Sequence, residues 1–228
     1  MPSRRALIRF YLAFGVAMRV GTSAAAATPA HTAAFFRAVQ LDDTRGVKAG
    51  LDAGVDPNML DPVSGQPGLV LAVREEAMRV FALLLADPRT RVDTPAANGN
   101  TALMMAAFKH NRTAADALVA KGAAVNLPGW TPLHYAAAGG DDAIGAMLLQ
   151  RGAAIDAPSP RASGAYTPLM MAAREGHPDS VRFLLGQGAD PTLKNTEGLD
   201  AARIAERAGH AEIAKTIAAA IAAGAPRR

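Results

Sequence analysis

The stretch Thr131-Pro132-Leu133-His134-Tyr135-Ala136-Ala137 decides how this chain of 228 residues is read. A threonine directly before a proline marks a helix start: the hydroxyl can cap the first turn, and proline's missing N–H falls where no intrahelical bond forms anyway. Two consecutive alanines then keep one side of that helix thin, which allows a neighbour to approach closely. The string returns as Thr167-Pro168-Leu169-Met170-Met171-Ala172-Ala173 and, earlier, as Thr101-Ala102-Leu103-Met104-Met105-Ala106-Ala107. A chain that repeats a helix start and a thin face in register is assembled from copies of one unit.

Outward from these strings, Gly140, Gly176 and Gly209 each stand nine residues after the first position, where a left-handed residue ends the first helix. A second helix follows, with Met147, Leu148 and Leu149, or Val181, Leu184 and Leu185, on its buried side. Gly122-Ala123-Ala124-Val125-Asn126, Gly152-Ala153-Ala154-Ile155-Asp156 and Gly188-Ala189-Asp190-Pro191 end that helix and turn the chain into a short finger. With weaker copies included, units start at Ala33, Pro67, Thr101, Thr131, Thr167 and Asp200, at spacings of 34, 34, 30, 36 and 33. One unit of this length cannot cover its own apolar faces, so the six must stack.

The pattern resembles the ankyrin repeat family, whose units read T-P-L-H-x-A-A, then G-H, a paired leucine and G-A-D-x-N, at a period of about 33. The resemblance covers about residues 32 to 223. It implies an all-α solenoid of six helix pairs with short hairpin-like finger loops, a concave face that takes a protein or peptide partner, and no catalysis of its own. The domain organisation that follows is an export segment over 1–27, a repeat domain over 28–223 and a tail over 224–228.

The end units must differ from the middle ones. Ala33-Ala34-Phe35-Phe36-Arg37-Ala38 lacks the Thr-Pro start and reads as a capping unit, with Asp42, Asp43, Arg45 and Lys48 for solvent; Ile204, Ile213, Ile217 and Ile221 form the inner face of the closing pair. The finger at Asn126–Trp130 is three residues short and the next, Ala157–Tyr166, three long. Such length changes belong in surface loops, which in solenoids line the binding side. His134 is the one histidine at the fourth motif position; Met104 and Met170 are expected to fill the place by packing.

Half the residues are apolar and 19% are charged, which excludes a disordered chain, and the absence of cysteine excludes disulfides, thiolate metal sites and cysteine nucleophiles. The net charge of +4 is misleading. Residues 1–27 hold Arg4, Arg5, Arg9 and Arg19 and no acid, so the remainder carries 20 basic and 20 acidic groups and offers no field for nucleic acid. The same segment has a nine-residue apolar run, Phe10–Met18, and a small-residue end, Gly21–Ala27. That is the layout of a cleavable export signal, with cleavage expected after Ala26 or Ala27. Ser3-Arg4-Arg5-Ala6-Leu7-Ile8-Arg9 is similar to the twin-arginine motif. The run is too short for a stable membrane anchor. A periplasmic address in a bacterium is the expectation.

The five histidines lie too far apart for a local ligand motif, and G-x-S-x-G, a Walker loop and G-x-G-x-x-G are all absent, so no enzyme activity, metal or cofactor is expected. The pairs Met104-Met105 and Met170-Met171 offer an alternative, a methionine-based metal- or oxidant-handling protein, although equal placement in two units favours core packing. Trp130 and Tyr166, each just before a unit's threonine, are the sharper signal. The resemblance puts these positions at finger tips on the concave side, where the two aromatics should be neighbours, and Asn100 holds the same place one unit earlier. It also directs attention to the residues after each Ala-Ala step: Arg74 and Glu75, Phe108 and Lys109, Arg174 and Glu175, and Arg207. Trp130, Tyr166 and Phe108 would anchor a partner while the charged residues orient it. A monomer is expected. Exported bacterial proteins of this layout are linked to periplasmic stress protection, which is what the resemblance implies for the process served.

Overall fold

The computed structural model describes residues 27–224. The segment expected to be an export signal, apart from Ala27, and the expected tail beyond Gly224 lie outside the described residues. Twelve α-helices and no strand are found among them. They form six antiparallel pairs: α1 (Pro29–Gln40) with α2 (Thr44–Asp52), α3 (Gly68–Arg74) with α4 (Met78–Ala86), α5 (Ala102–Phe108) with α6 (Arg112–Ala120), α7 (Pro132–Gly139) with α8 (Asp142–Gln150), α9 (Pro168–Glu175) with α10 (Pro178–Gly186), and α11 (Ala201–Arg207) with α12 (Ala211–Ala222). The odd-numbered helices contact one another in sequence and make one layer; the even-numbered helices form the second.

Local chemistry sets most of the boundaries. Thr101 and Thr167 accept from the N–H of Met104 and Met170, and Asp200 from that of Arg203, each closing the first turn of its helix. Asn111 and Asp141 do the same for α6 and α8. The first unit departs from expectation. Its helix runs one turn further back to a Thr-Pro start of its own, in which the Thr28 hydroxyl accepts the His31 N–H at 3.3 Å and His31 Nδ1 accepts the Thr28 N–H at 3.4 Å. Asp42 is not given over to solvent either: its carboxylate accepts from the Val80 N–H and the Arg79 guanidinium, tying the first unit to the second.

The first-to-second helix turn needs a left-handed residue in every unit. Glycine supplies it at Gly140, Gly176 and Gly209, but Asp42, Glu76 and His110 adopt φ of 51°, 57° and 53° at the equivalent places. The glycines are not equivalent. A Cβ on Gly176 (φ 82°) would meet the His210 ring at 2.6 Å, whereas one on Gly209 (φ 86°) meets nothing within 4 Å. Gly209→Ala should therefore cost the left-handed strain alone, about 1–2 kcal/mol, and Gly176→Ala measurably more, because it also displaces the ring whose Nε2 bonds the Arg174 carbonyl at 3.2 Å. Urea denaturation of the two variants checks the ordering.

Buried residues form two clusters. One spans the first four units, with Phe35, Leu71, Leu84, Leu103, Leu118, Leu133, Ile144 and Leu148 inside; the other joins Ala137 to the last two, around Leu169, Leu184 and Ile217. The paired alanines Ala106, Ala107, Ala136, Ala137, Ala172 and Ala173 are all buried, as a thin helix face requires. The fingers close with backbone bonds between Asp61 and Gln66, Ala96 and Asn100, Ser159 and Tyr166, and Asn195 and Leu199. The long finger holds a 3-10 turn at Arg161–Ser163 and is tied to the next finger by the Thr196 N–H donating to the Gly164 carbonyl. No described helix is long and apolar enough to cross a membrane.

Candidate protein-binding groove

The layer of odd-numbered helices carries a cleft of about 330 Å³ at its centre, lined by Phe108, Trp130, His134, Tyr135, Ala138, Met171, Arg174 and Glu175. Three successive first helices and one finger build it. Phe108 ends α5, Trp130 stands just before the cap of α7, Tyr135 and Ala138 lie on α7, and Met171, Arg174 and Glu175 on α9. Phe108 is 56% exposed, a large apolar side chain left to solvent in the middle of the molecule. Its ring meets Tyr135 edge-on at 6.4 Å, and Tyr135 meets Trp130 at 6.4 Å with the planes 60° apart.

His134 forms the base. Its Nδ1 accepts the Thr131 N–H at 3.1 Å, so the proton sits on Nε2, which donates to the Tyr166 carbonyl at 2.9 Å in the next unit. Burial pushes its pKa down from 6.5 to about 4, more than the backbone contacts with Tyr166 and Ala157 restore. The ring is therefore neutral at physiological pH. Met104 and Met170 are buried at the equivalent positions, and their sulfurs accept the Thr101 and Thr167 N–H at 3.4 Å. They thus reproduce one half of what His134 does, and the thioethers are turned inward. Among the described residues no group of three or more His, Asp or Glu could hold a metal ion.

Trp130 and Tyr166, expected as neighbours, flank His134 from either side. The Trp130 ring packs edge-on against His134 at 5.2 Å and against Tyr135, while Tyr166 lies under the Arg174 guanidinium at 5.2 Å. His134 stands between them, bonded to the Tyr166 backbone. Tyr135, central to the aromatic wall, was missed by sequence reasoning. It occupies the variable position of the threonine string, held by Met105 and Met171 elsewhere, and an aromatic among methionines there was the available signal. Its hydroxyl donates to Asn100 Oδ1 at 2.6 Å, which makes Asn100 a support for the wall. Burial pushes the Tyr135 phenol up.

The charged candidates are paired. Arg74 bonds Glu75 at 2.7 Å, Arg174 bonds Glu175 at 2.8 Å, Lys109 reaches Glu76 at 2.9 Å, and Arg207 reaches the finger residue Glu197 at 2.5 Å. Exposed pairs of this kind add little to stability. Only Arg174 and Glu175 among them line the cleft.

Comparison with known proteins gives the same repeat. A family model described as "Ankyrin repeats (3 copies)" matches residues 35–128, 69–159, 125–195 and 147–224. The chain is 32% identical over 158 residues, 68% of its length, to SH3 and multiple ankyrin repeat domains protein 2 of Homo sapiens, and 31% identical over 180 residues, 72% of its length, to Protein glp-1 of Caenorhabditis elegans. It spans only 8% and 14% of those two proteins. Among solved structures it is similar to a chain of the predatory endopeptidase Bd0816 from Bdellovibrio bacteriovorus in complex with immunity protein Bd3460. The TM-score is 0.69 at 25% identity, covering 81% of this chain and 96% of that one.

Proposed function

The chain belongs to the ankyrin repeat family, and from that premise we propose that it is a non-catalytic binding module that seats a protein partner on the groove face, centred on Phe108, Tyr135 and Trp130. The observation that carries this is the aromatic cleft itself. Three rings, one of them mostly exposed, are held on two helices and the finger that leads into the second, and a preformed apolar site of this size binds without much ordering cost. Aromatic anchors in a pocket dominate recognition surfaces. The similarity to a chain of an endopeptidase–immunity protein complex supports a folded protein as the partner.

Phe108→Ala combined with Trp130→Ala should leave the fold intact and weaken partner binding by about 30-fold or more, as loss of two hot-spot residues does. Cross-linked capture from native extract, followed by mass spectrometry, compares wild type with the double variant. A partner captured equally by both would place the interface elsewhere.

We further propose export to the periplasm, on the strength of the basic start, the short apolar run and the small-residue end before Thr28, and, on the family resemblance alone, a part in stress protection there. Cleavage after Ala26 or Ala27 would leave the Thr28-Pro29 helix start in the mature chain. N-terminal sequencing of the protein from fractionated cells should begin at Ala27 or Thr28 in the periplasmic fraction; a cytoplasmic chain beginning at Met1 would refute it.

A further inference from the structure

Resting on the groove reading, we infer that the aromatic cleft receives the ammonium group of a lysine side chain carried by the protein partner. The face of each ring carries negative potential, and a cation within about 6 Å of several faces is held by all of them. Phe108 and Tyr135 are perpendicular, at 89°, and Trp130 is inclined at 60° to Tyr135. Rings in three different planes line one cleft, an arrangement that suits a compact, roughly spherical charge. A planar guanidinium stacks best on parallel faces, which these are not. Met171 and Ala138, which also line the cleft, offer apolar surface for the lysine stem.

The charges around the cleft point the same way. Arg174 directs its Nε and an Nη to one oxygen of Glu175, Oε1, and lies over the Tyr166 ring, so its charge is already matched. The Glu175 carboxylate lines the cleft and is 40% exposed, so an incoming donor can reach it. His134 at the base stays neutral, since burial holds its pKa at about 4, and contributes no repulsion. Arg174 over Tyr166 also shows a cation resting on a ring of the same face.

Trp130 is the sole tryptophan and reports occupancy of the cleft directly. Its fluorescence is followed while the full chain is titrated, at low salt, with acetyl-Gly-Lys-Gly-amide and with the same peptide carrying norleucine, which matches the stem and lacks the ammonium, or arginine. The lysine peptide should give a saturable change about two- to fivefold tighter than norleucine, the order expected of an exposed cation–π contact, and tighter than arginine. Glu175→Gln should weaken lysine binding and Arg174→Gln should strengthen it, opposite signs that a merely structural role of the pair would not produce. Circular dichroism verifies that both variants remain folded. Equal or tighter binding of norleucine, tighter binding of arginine, or no saturable response to lysine would each overturn the inference. If groove-dependent capture of a partner survives such a result, protein binding stands and the lysine assignment alone falls; if capture is also insensitive to Phe108 and Trp130, both fall.

Discussion

Leu148→Ala is expected to lower the unfolding free energy by about 3–5 kcal/mol, the upper part of the range for large-to-small changes in cores. Leu148 is fully buried on α8, in the fourth of six units. Around it the first cluster is rich in alanine, with Ala114, Ala115 and Ala136 each essentially inaccessible. Alanine faces bring helix backbones close together, and backbones already in contact cannot move inward to fill a gap, so the cavity persists. The half-buried Leu149, next in sequence, is the control: its truncation should cost only about 1 kcal/mol. Position along the stack adds a second effect. A solenoid's stability is a sum of unit and neighbour terms, so a weakened central unit loosens its coupling to both sides. The urea transition of Leu148→Ala should accordingly broaden, the last two units, which have their own buried cluster, parting from the first four. A sharp transition displaced by less than 1 kcal/mol would mean that the neighbours collapse into the gap and that the alanine faces are not the rigid contacts inferred here.

The parts of this architecture written in local chemistry were legible from the residues. Thr101, Thr167 and Asp200 cap helices because a short polar side chain before a helical run has that use within its own turn, and Pro132 and Pro168 fix the first residue behind it. The start of the first helix is not given by the repeat spacing, because Thr28-Pro29 lies a full turn before the position that spacing sets. The left-handed turns at Asp42, Glu76 and His110 carry no glycine to announce them. The groove was legible in part. Phe108, Trp130, Arg174 and Glu175 follow from repeat position, and the cleft gathers them. Tyr135 and its bond to Asn100 depend on the rotation between adjacent units, as does the turning of Tyr166 toward Arg174 rather than Trp130. No single unit encodes that rotation.

His134 makes acid the second sensitive variable, and here the direction follows from its pKa. The folded value, about 4, lies below the ordinary 6.5, so between those limits the unfolded chain binds a proton that the folded chain refuses. The stabilisation by neutral His134 is complete above pH 6.5, declines as the pH falls, and is gone below about 4. The total is about 3 kcal/mol, from 1.36 kcal/mol per pKa unit. The geometry explains why the ring resists protonation: a proton on Nδ1 would face the Thr131 N–H at 3.1 Å, and the charge would be sealed from water with the Tyr166 carbonyl as its remaining acceptor. The chain itself supplies the control substitution. Met104 and Met170 occupy the same position in two other units and accept the same backbone N–H, so His134→Met should fold, lose the bond to Tyr166 and with it about 1 kcal/mol at pH 7.5, and no longer weaken through this group. Urea denaturation of both proteins from pH 7.5 to 4 makes the comparison, because the carboxylates common to the two cancel in the difference. The curves should converge and cross as the pH falls, His134→Met becoming the more stable near pH 4. Parallel curves across the range would mean that His134 is accessible to a proton in the folded chain, and the neutral base assigned to the cleft would have to be given up.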